Sequence, residues 1–394
     1  MTARHRLGIV LGINQTLTWG MSFYLPAIIM VPAADSLGLS PVALVGAFSW
    51  SLLISGLCAP RVGRWIDRHG GRGALLASIV VIACGQILLA VATNLVMWYL
   101  AWTVIGAGMA MGLYDAAFAT IGGLLGREAG PTITGVTLIA GFASTVFWSL
   151  GAVVIAPLGW RGVIGVYAVL MLAVNLPMVW ALVPPAPPQA RNRPAAGSGG
   201  RIDRVAVTCL AGFFTLRWLI TSAIAVHILP LMRDFGLSAA EAVMVAALIG
   251  PGQVAGRVLE WTIGARIGLL ARARLGALLF PLGAIVLLTG GPAAAVGFAL
   301  LYGMSNGILT INRGTLPLAL FGPAGYATML GWLAVPVLLA QALAPTMTAP
   351  LVAALPALDV LLLAGGLAVA AALLLLPLRL KPDNAETSAS ATGT

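Results

Sequence analysis

Apolar residues run along this chain in blocks of about 20, and short clusters of Gly, Pro, Arg and Asp separate the blocks. Blocks of that length predict bilayer-crossing helices, because about 20 residues at 1.5 Å each match a hydrocarbon core of roughly 30 Å. The predicted spans are 8–30, 42–62, 74–92, 96–121, 133–156 and 162–183, then 205–231, 241–260, 273–290, 293–315, 324–349 and 357–378. Residues 184–204 are rich in Pro, Gly and Arg and predict a linker. Residues 381–394 have no apolar period and predict a disordered tail. The expected fold class is an all-α membrane protein of twelve transmembrane helices in two six-helix halves, 1–183 and 205–380.

Composition sharpens this picture. The 394 residues are 60% apolar and only 8% charged, whereas soluble domains carry about 25% charge. A transmembrane barrel is excluded, because its strands would alternate polar and apolar at every second position. The net charge of +10 raises nucleic acid as a partner, and position rules it out: the arginines gather in short loops rather than on one folded basic face. With the N-terminus inside, Arg4, Arg6, Arg64, Arg68, Arg72, Arg127 and the linker arginines are internal, whereas the outer loops hold Arg161 and Arg233. That asymmetry predicts a multi-pass protein of the cell inner membrane with both termini cytoplasmic.

The first block follows Arg4 and Arg6 but reaches Tyr24-Leu25-Pro26 without a small-x-small cleavage site, so it is expected to be a retained span. Cys58, Cys84 and Cys209 lie inside apolar blocks without paired spacing and read as small core residues, not as a disulfide or metal site.

The second half echoes the first at a near-constant interval. Arg61 and Trp65 return as Arg257 and Trp261, Gly126 and Gly135 as Gly322 and Gly331, and Gly38-Leu39-Ser40 as Gly236-Leu237-Ser238. A shared interval at equivalent points of equivalent blocks predicts two parallel, pseudo-symmetric halves, a plan on which many transporters are built.

The loop between the second and third spans reads Gly63, Asp67, Arg68, Gly70, Gly71 and Arg72, with Trp65 and Ile66 inside it. In a twelve-span chain with a basic central linker, this loop resembles the signature of the major facilitator superfamily. Gly256-Arg257 in the eighth span, Gly112-Leu113-Tyr114 in the fourth and Trp19-Gly20 in the first also look like bacterial relatives of the monocarboxylate porters. In those porters the eighth-span arginine tends to bind carboxylate. They often carry an acid where this chain has Gln253, and a first-span lysine that this chain lacks.

The resemblance implies the major facilitator fold and a secondary active transporter working by alternating access. It implies no cofactor, function as a monomer, a small-molecule substrate and a coupling proton as an open question. Membrane arginines outnumber membrane acids, which favours a small organic anion such as a carboxylate. Export of neutral or amphipathic compounds is the alternative, although Gly141 is followed by Phe142-Ala143-Ser144 rather than by an antiporter pattern. The chain has no Gly-x-Ser-x-Gly, no His-x-x-x-His and no paired His/Asp, which argues against a membrane enzyme. A single lysine, Lys381, and no phosphate loop argue against an ATP-driven pump. A non-transporting sensor or scaffold on the same fold stays open.

Ionisable groups inside spans are costly enough that each is a functional candidate. Arg217 lies about 12 residues into the seventh span, roughly 18 Å deep; it either meets an anionic substrate in a central cavity or bonds a neighbouring span. Arg257 and Glu260 share a helical face at i, i+3 and either pair near the interface or act as substrate ligand and coupling partner. Asp115 either carries a proton or forms a permanent ion pair with Arg313 or Arg127. Arg313 itself is a cavity residue or an inner-gate anchor.

Gln15, Thr18 and Trp19 share one face of the first span and either line the cavity or bond between helices. Tyr114 and Asn306 complete the substrate-binding candidates, and His227 reads as interfacial. Asp67 is expected at the start of the eleventh span, near Gly322-Pro323-Ala324-Gly325, where the helix dipole attracts negative charge. Arg68, Arg72 and Arg127 join it in a gate. The equivalent second loop, Thr262-Ile263-Gly264-Ala265-Arg266, has no acid, so the latch is expected to be one-sided.

Overall fold

The computed structural model describes residues 2–186 and 203–380. The predicted linker at 184–204 lies largely outside these residues and the predicted tail at 381–394 entirely so. The described chain is helical, with no strand among its residues. In the first part, α1 (Ala3–Met21), α2 (Pro26–Leu37), α3 (Pro41–His69), α4 (Gly71–Ala90) and α5 (Leu95–Gly112) are followed by α6 (Tyr114–Leu125), α7 (Ala129–Ala140), α8 (Ala143–Leu170) and α9 (Leu176–Leu182). The second part holds α10 (Arg204–Asp234), α11 (Ala239–Ile263), α12 (Leu269–Gly290), α13 (Ala295–Phe321), α14 (Tyr326–Ala354) and α15 (Ala357–Leu373).

Local chemistry sets the ends. The Asn94 side chain accepts from Met97 N at 3.0 Å and starts α5, Asp203 caps α10 through the amides of Val205 and Ala206, and Ser238 with Glu241 forms a capping box on α11. Among the described residues, eight continuous helical runs are long and apolar enough to cross a membrane. The run Leu95–Leu182 has 88 residues and as one helix would reach about 130 Å, so it must turn back. It does so at Gly126 and Gly159, with φ of 59° and 64°, where a Cβ would be strained. Leu269–Phe321 likewise divides around Gly291.

The predicted first span, 8–30, is in fact broken. Helix α1 stops at Met21 and α2 begins at Pro26, a residue suited to a helix's first position. The carbonyl freed at Met21 accepts from Gln86 Nε2 at 2.6 Å. The predicted fourth span is broken as well, at Leu113 between α5 and α6. Cys84, read from sequence as a core residue, lies exposed on α4.

Two compact units emerge, residues 1–199 with 323–338 and residues 200–322 with 339–394. Inside each, one helix pair meets backbone to backbone. A Cβ on Gly106 of α5 would strike the Ser51 carbonyl of α3; one on Gly303 of α13 would strike the Ile249 carbonyl and Gln253 amide of α11. The two contacts are about 197 residues apart, the interval of the sequence echo. Gly252, Gly256 and Gly307 extend the α11–α13 contact. Small residues make such approach possible where apolar burial alone gives helices no reason to associate in lipid.

Arginines close several helix ends, where the last carbonyls lack partners. Arg161 donates from Nε and Nη2 to the carbonyls of Ala90 and Ala92, both at 3.0 Å, ending α4, and stacks on Trp160. Arg72 donates from Nη2 to the Trp180 carbonyl in α9. Arg274 Nη2 reaches the carbonyls of Leu375, Leu376 and Leu378 just beyond α15, at 3.0, 3.3 and 3.4 Å.

Candidate functional site

In the second unit α10 carries Arg217, 1% exposed although an arginine. Its Nη2 donates to Asn306 Oδ1 at 2.7 Å and to Ser305 Oγ at 3.1 Å, both on α13. The guanidinium carbon lies 5.2 Å from the centre of the Phe280 ring and 5.7 Å from that of Tyr302. Asn306 Oδ1 also accepts from Thr221 Oγ1 at 3.1 Å, while the Tyr302 hydroxyl donates to the Thr221 carbonyl at 3.2 Å. Nε and Nη1 of Arg217 are buried with no hydrogen-bond partner. The structure thus brings Arg217 and Asn306 together and leaves two guanidinium nitrogens unsatisfied.

Arg257 on α11 is 5% exposed, and its Nε is also buried without a partner. Expectation and structure differ here. Glu260, one turn from Arg257 and itself buried, bonds Arg272 Nη1 of α12 at 2.8 Å and not Arg257. The α12 arginine approaches from a different helix, so the pairing is tertiary and sequence spacing could not show it. Arg313, partly buried on α13, places its guanidinium 5.2 Å from the Trp218 ring centre. His227 on α10 has its Nε2 buried without a partner.

In the first unit the polar face of α1 is buried in a connected network. Gln15 Nε2 donates to the Gly112 carbonyl at 2.7 Å and to Asn14 Oδ1 at 3.1 Å, and Gln15 Oε1 accepts from Trp19 Nε1 at 3.2 Å. Asn14 Nδ2 donates to Asn175 Oδ1 at 2.9 Å, and Asn175 Nδ2 to Thr18 Oγ1 at 3.2 Å. Asn14, Gln15, Thr18 and Asn175 are all buried to within 1%. Trp19 packs against Tyr114 with ring centres 4.8 Å apart, and Asp115 follows Tyr114 in the first turn of α6.

Asp67, near the end of α3, meets the start of α14. Its Oδ1 accepts from Ala327 N at 3.2 Å, and its Oδ2 from Thr328 N at 2.8 Å and Thr328 Oγ1 at 2.6 Å. Gly63, one turn earlier, permits the approach: a Cβ there would run into the Ala327 carbonyl. Arg68 is exposed at the end of α3, and Arg127 is exposed in the turn Gly126–Glu128.

Sequence reading missed Asn175, Ser305 and Arg272. Asn175 closes a π-helical turn, Met171–Asn175, leading into α9 with Pro177. An asparagine two residues before a proline within an apolar block was the available signal, since that proline removes a backbone donor and loosens the preceding turn.

The family model described as Major Facilitator Superfamily matches residues 10–345. Among solved structures, the chain is similar to the human organic anion transporter MFSD10 (TETRAN), with a TM-score of 0.78 and 18% identity, over 95% of this chain and 100% of that one. It is also similar to FucP, a Major Facilitator Superfamily transporter in the outward conformation, with a TM-score of 0.75 and 13% identity, over 95% and 99% of the two chains.

Proposed function

Because the chain belongs to the major facilitator superfamily, it is a multi-pass membrane protein and a secondary transporter of a small molecule, not an enzyme; we propose that its solute is a small organic anion such as a carboxylate. The observation that carries this reading is the Arg217 guanidinium, which is buried beside aromatic rings with Nε and Nη1 unsatisfied. A buried ion without a counter-charge costs several kcal/mol. Its protein partners, Ser305 and Asn306, are neutral and engage only Nη2. A carboxylate can take the planar Nε–Nη fork with two parallel hydrogen bonds and supply the missing charge. Arg257 repeats the situation, because the buried acid one turn away is held by Arg272. A neutral solute would leave both guanidinium groups uncompensated.

We assign transport to twelve crossings in a monomer, by alternating access across the cell inner membrane, with both termini cytoplasmic. Asp67, with Arg68, Arg72 and Arg127, forms the gate in this reading. Asp115 and Glu260 are the acids that would carry a coupling proton, and Arg313 is the permanently charged member of the coupling set. Melting of the purified protein against panels of small anions, cations and neutral compounds tests the reading. Anions should raise the melting temperature, and Arg217→Gln should abolish the rise. Stabilisation by cations or neutral compounds alone would refute the anion assignment, and an unchanged anion response in Arg217→Gln would remove Arg217 from the site.

A further inference from the structure

We propose that Arg217 also binds a monatomic anion, chloride, which holds the guanidinium whenever no solute does and competes with the solute for it; the competition rests on the reading above, and the chloride site does not. Every group involved belongs to the second unit. A guanidinium has five N–H donors. Nη2 gives its two to Ser305 Oγ and Asn306 Oδ1, and the donors on Nε and Nη1 are buried with nothing to accept them. Among the described residues no carboxylate forms an ion pair with Arg217.

The neighbours do not close this gap. The Ser305 hydroxyl donates to the Gly276 carbonyl at 2.6 Å, the Thr221 hydroxyl to Asn306 Oδ1 at 3.1 Å and the Tyr302 hydroxyl to the Thr221 carbonyl at 3.2 Å. Turning any of them toward Nε or Nη1 would break a bond already made. The faces of Phe280 and Tyr302 attract the cation, but by less than a buried ion loses with its hydration. A water molecule would accept hydrogen bonds and leave the charge uncompensated. An anion supplies both the acceptor and the charge, and the surroundings limit its size. Arg217 is 1% exposed, Phe280 and Ser305 are 0% and Tyr302 is 2%. In this closed arrangement a carboxylate would bring a carbon body into packed side chains, whereas a monatomic anion needs little more room than one water, ~30 Å³. A carboxylate therefore requires the site to open, and chloride does not: chloride is the occupant of the closed site and the solute that of the open one.

Equilibrium dialysis of the purified full-length protein against radiolabelled chloride, with sodium sulfate holding the ionic strength, tests the site. Native protein should bind chloride and Arg217→Gln should not. Should that variant fail to fold, Arg217→Lys keeps the charge, loses the planar group and should bind chloride about 10-fold more weakly, for one charge-assisted hydrogen bond lost. Acetate, propionate and benzoate are then titrated in a melting assay without chloride and with chloride at about ten times its dissociation constant, where competition should weaken them about 10-fold. No bound chloride, or equal chloride binding by native protein and both variants, overturns the chloride site, and the anion reading stands as long as the acids still raise the melting temperature. Arg217-dependent chloride binding with no response to any of the acids supports the chloride site and overturns the carboxylate reading. Chloride and an acid that bind together, neither weakening the other, overturn the competition.

Discussion

Replacing Asp67 by alanine should melt the first turn of α14 without unfolding the protein. The Asp67 carboxylate accepts three hydrogen bonds there, from Ala327 N, Thr328 N and Thr328 Oγ1. A side-chain cap is worth about 0.5–2 kcal/mol, and negative charge at a partly buried helix N-terminus adds up to ~2 kcal/mol. Taking about 2–3 kcal/mol for the loss of both, local opening should become about 30- to 150-fold more frequent. Amide hydrogen exchange read at Ala327 and Thr328 should accelerate by that factor. Asp67→Asn keeps an acceptor and loses the charge, so its acceleration should be about 5-fold, for ~1 kcal/mol. The Val360 amide, bonded to the Pro356 carbonyl at the start of α15, serves as the internal control and should not change. Equal exchange at Ala327 and Thr328 in native protein and Asp67→Ala would show that the contact holds nothing, and would end the argument for a latch at this point.

Other outcomes follow from packing and charge. Gly303→Val places side-chain carbons against the Ile249 carbonyl and Gln253 amide and should cost about 1–3 kcal/mol in thermal unfolding. Gly123→Val, where no atom lies within 4 Å, should cost much less, and equal losses would refute the close-packing account. Arg272→Met leaves Glu260 buried and unpaired and should destabilise by about 3–5 kcal/mol. Adding Glu260→Gln should recover most of that loss, and a double variant as unstable as the single one would show that the ion pair is not the cause.

The large features of this molecule are legible in sequence because the membrane imposes a coarse rule: long apolar blocks become helices, and loops collect Gly, Pro and Arg. The Asp67 contact was foreseeable too, since the acid, the glycine one turn before it and the Gly-Pro start of the later helix are each local signals. The pairing of Glu260 was not, because its partner is chosen by helix packing and a short-range i, i+3 rule named the wrong arginine. The breaks at Met21–Pro26 and Leu113 fall inside continuous apolar blocks, where hydropathy cannot distinguish one helix from two. The π turn at Asn175 escaped for the same reason. Polar groups on α1 were found from their spacing, whereas their partners on α5 and at the π turn depend on tertiary contact.

Of the 21 lysines and arginines in the chain, all but Lys381 are arginine, and the helix ends closed by Arg72, Arg161 and Arg274 give that bias a reason. The machinery that inserts a membrane protein counts positive charge and treats lysine and arginine alike. The folded helix ends read shape: the flat guanidinium of Arg161 presents Nε to the Ala90 carbonyl and Nη2 to that of Ala92, and a compact ammonium cannot reproduce that fork. Lysine at these positions would therefore leave the instruction for insertion intact and erase the one for assembly. A chain recoded in this way would enter the bilayer the right way round and stall with loose helix ends, dividing biogenesis into two steps that the native arginines perform as one.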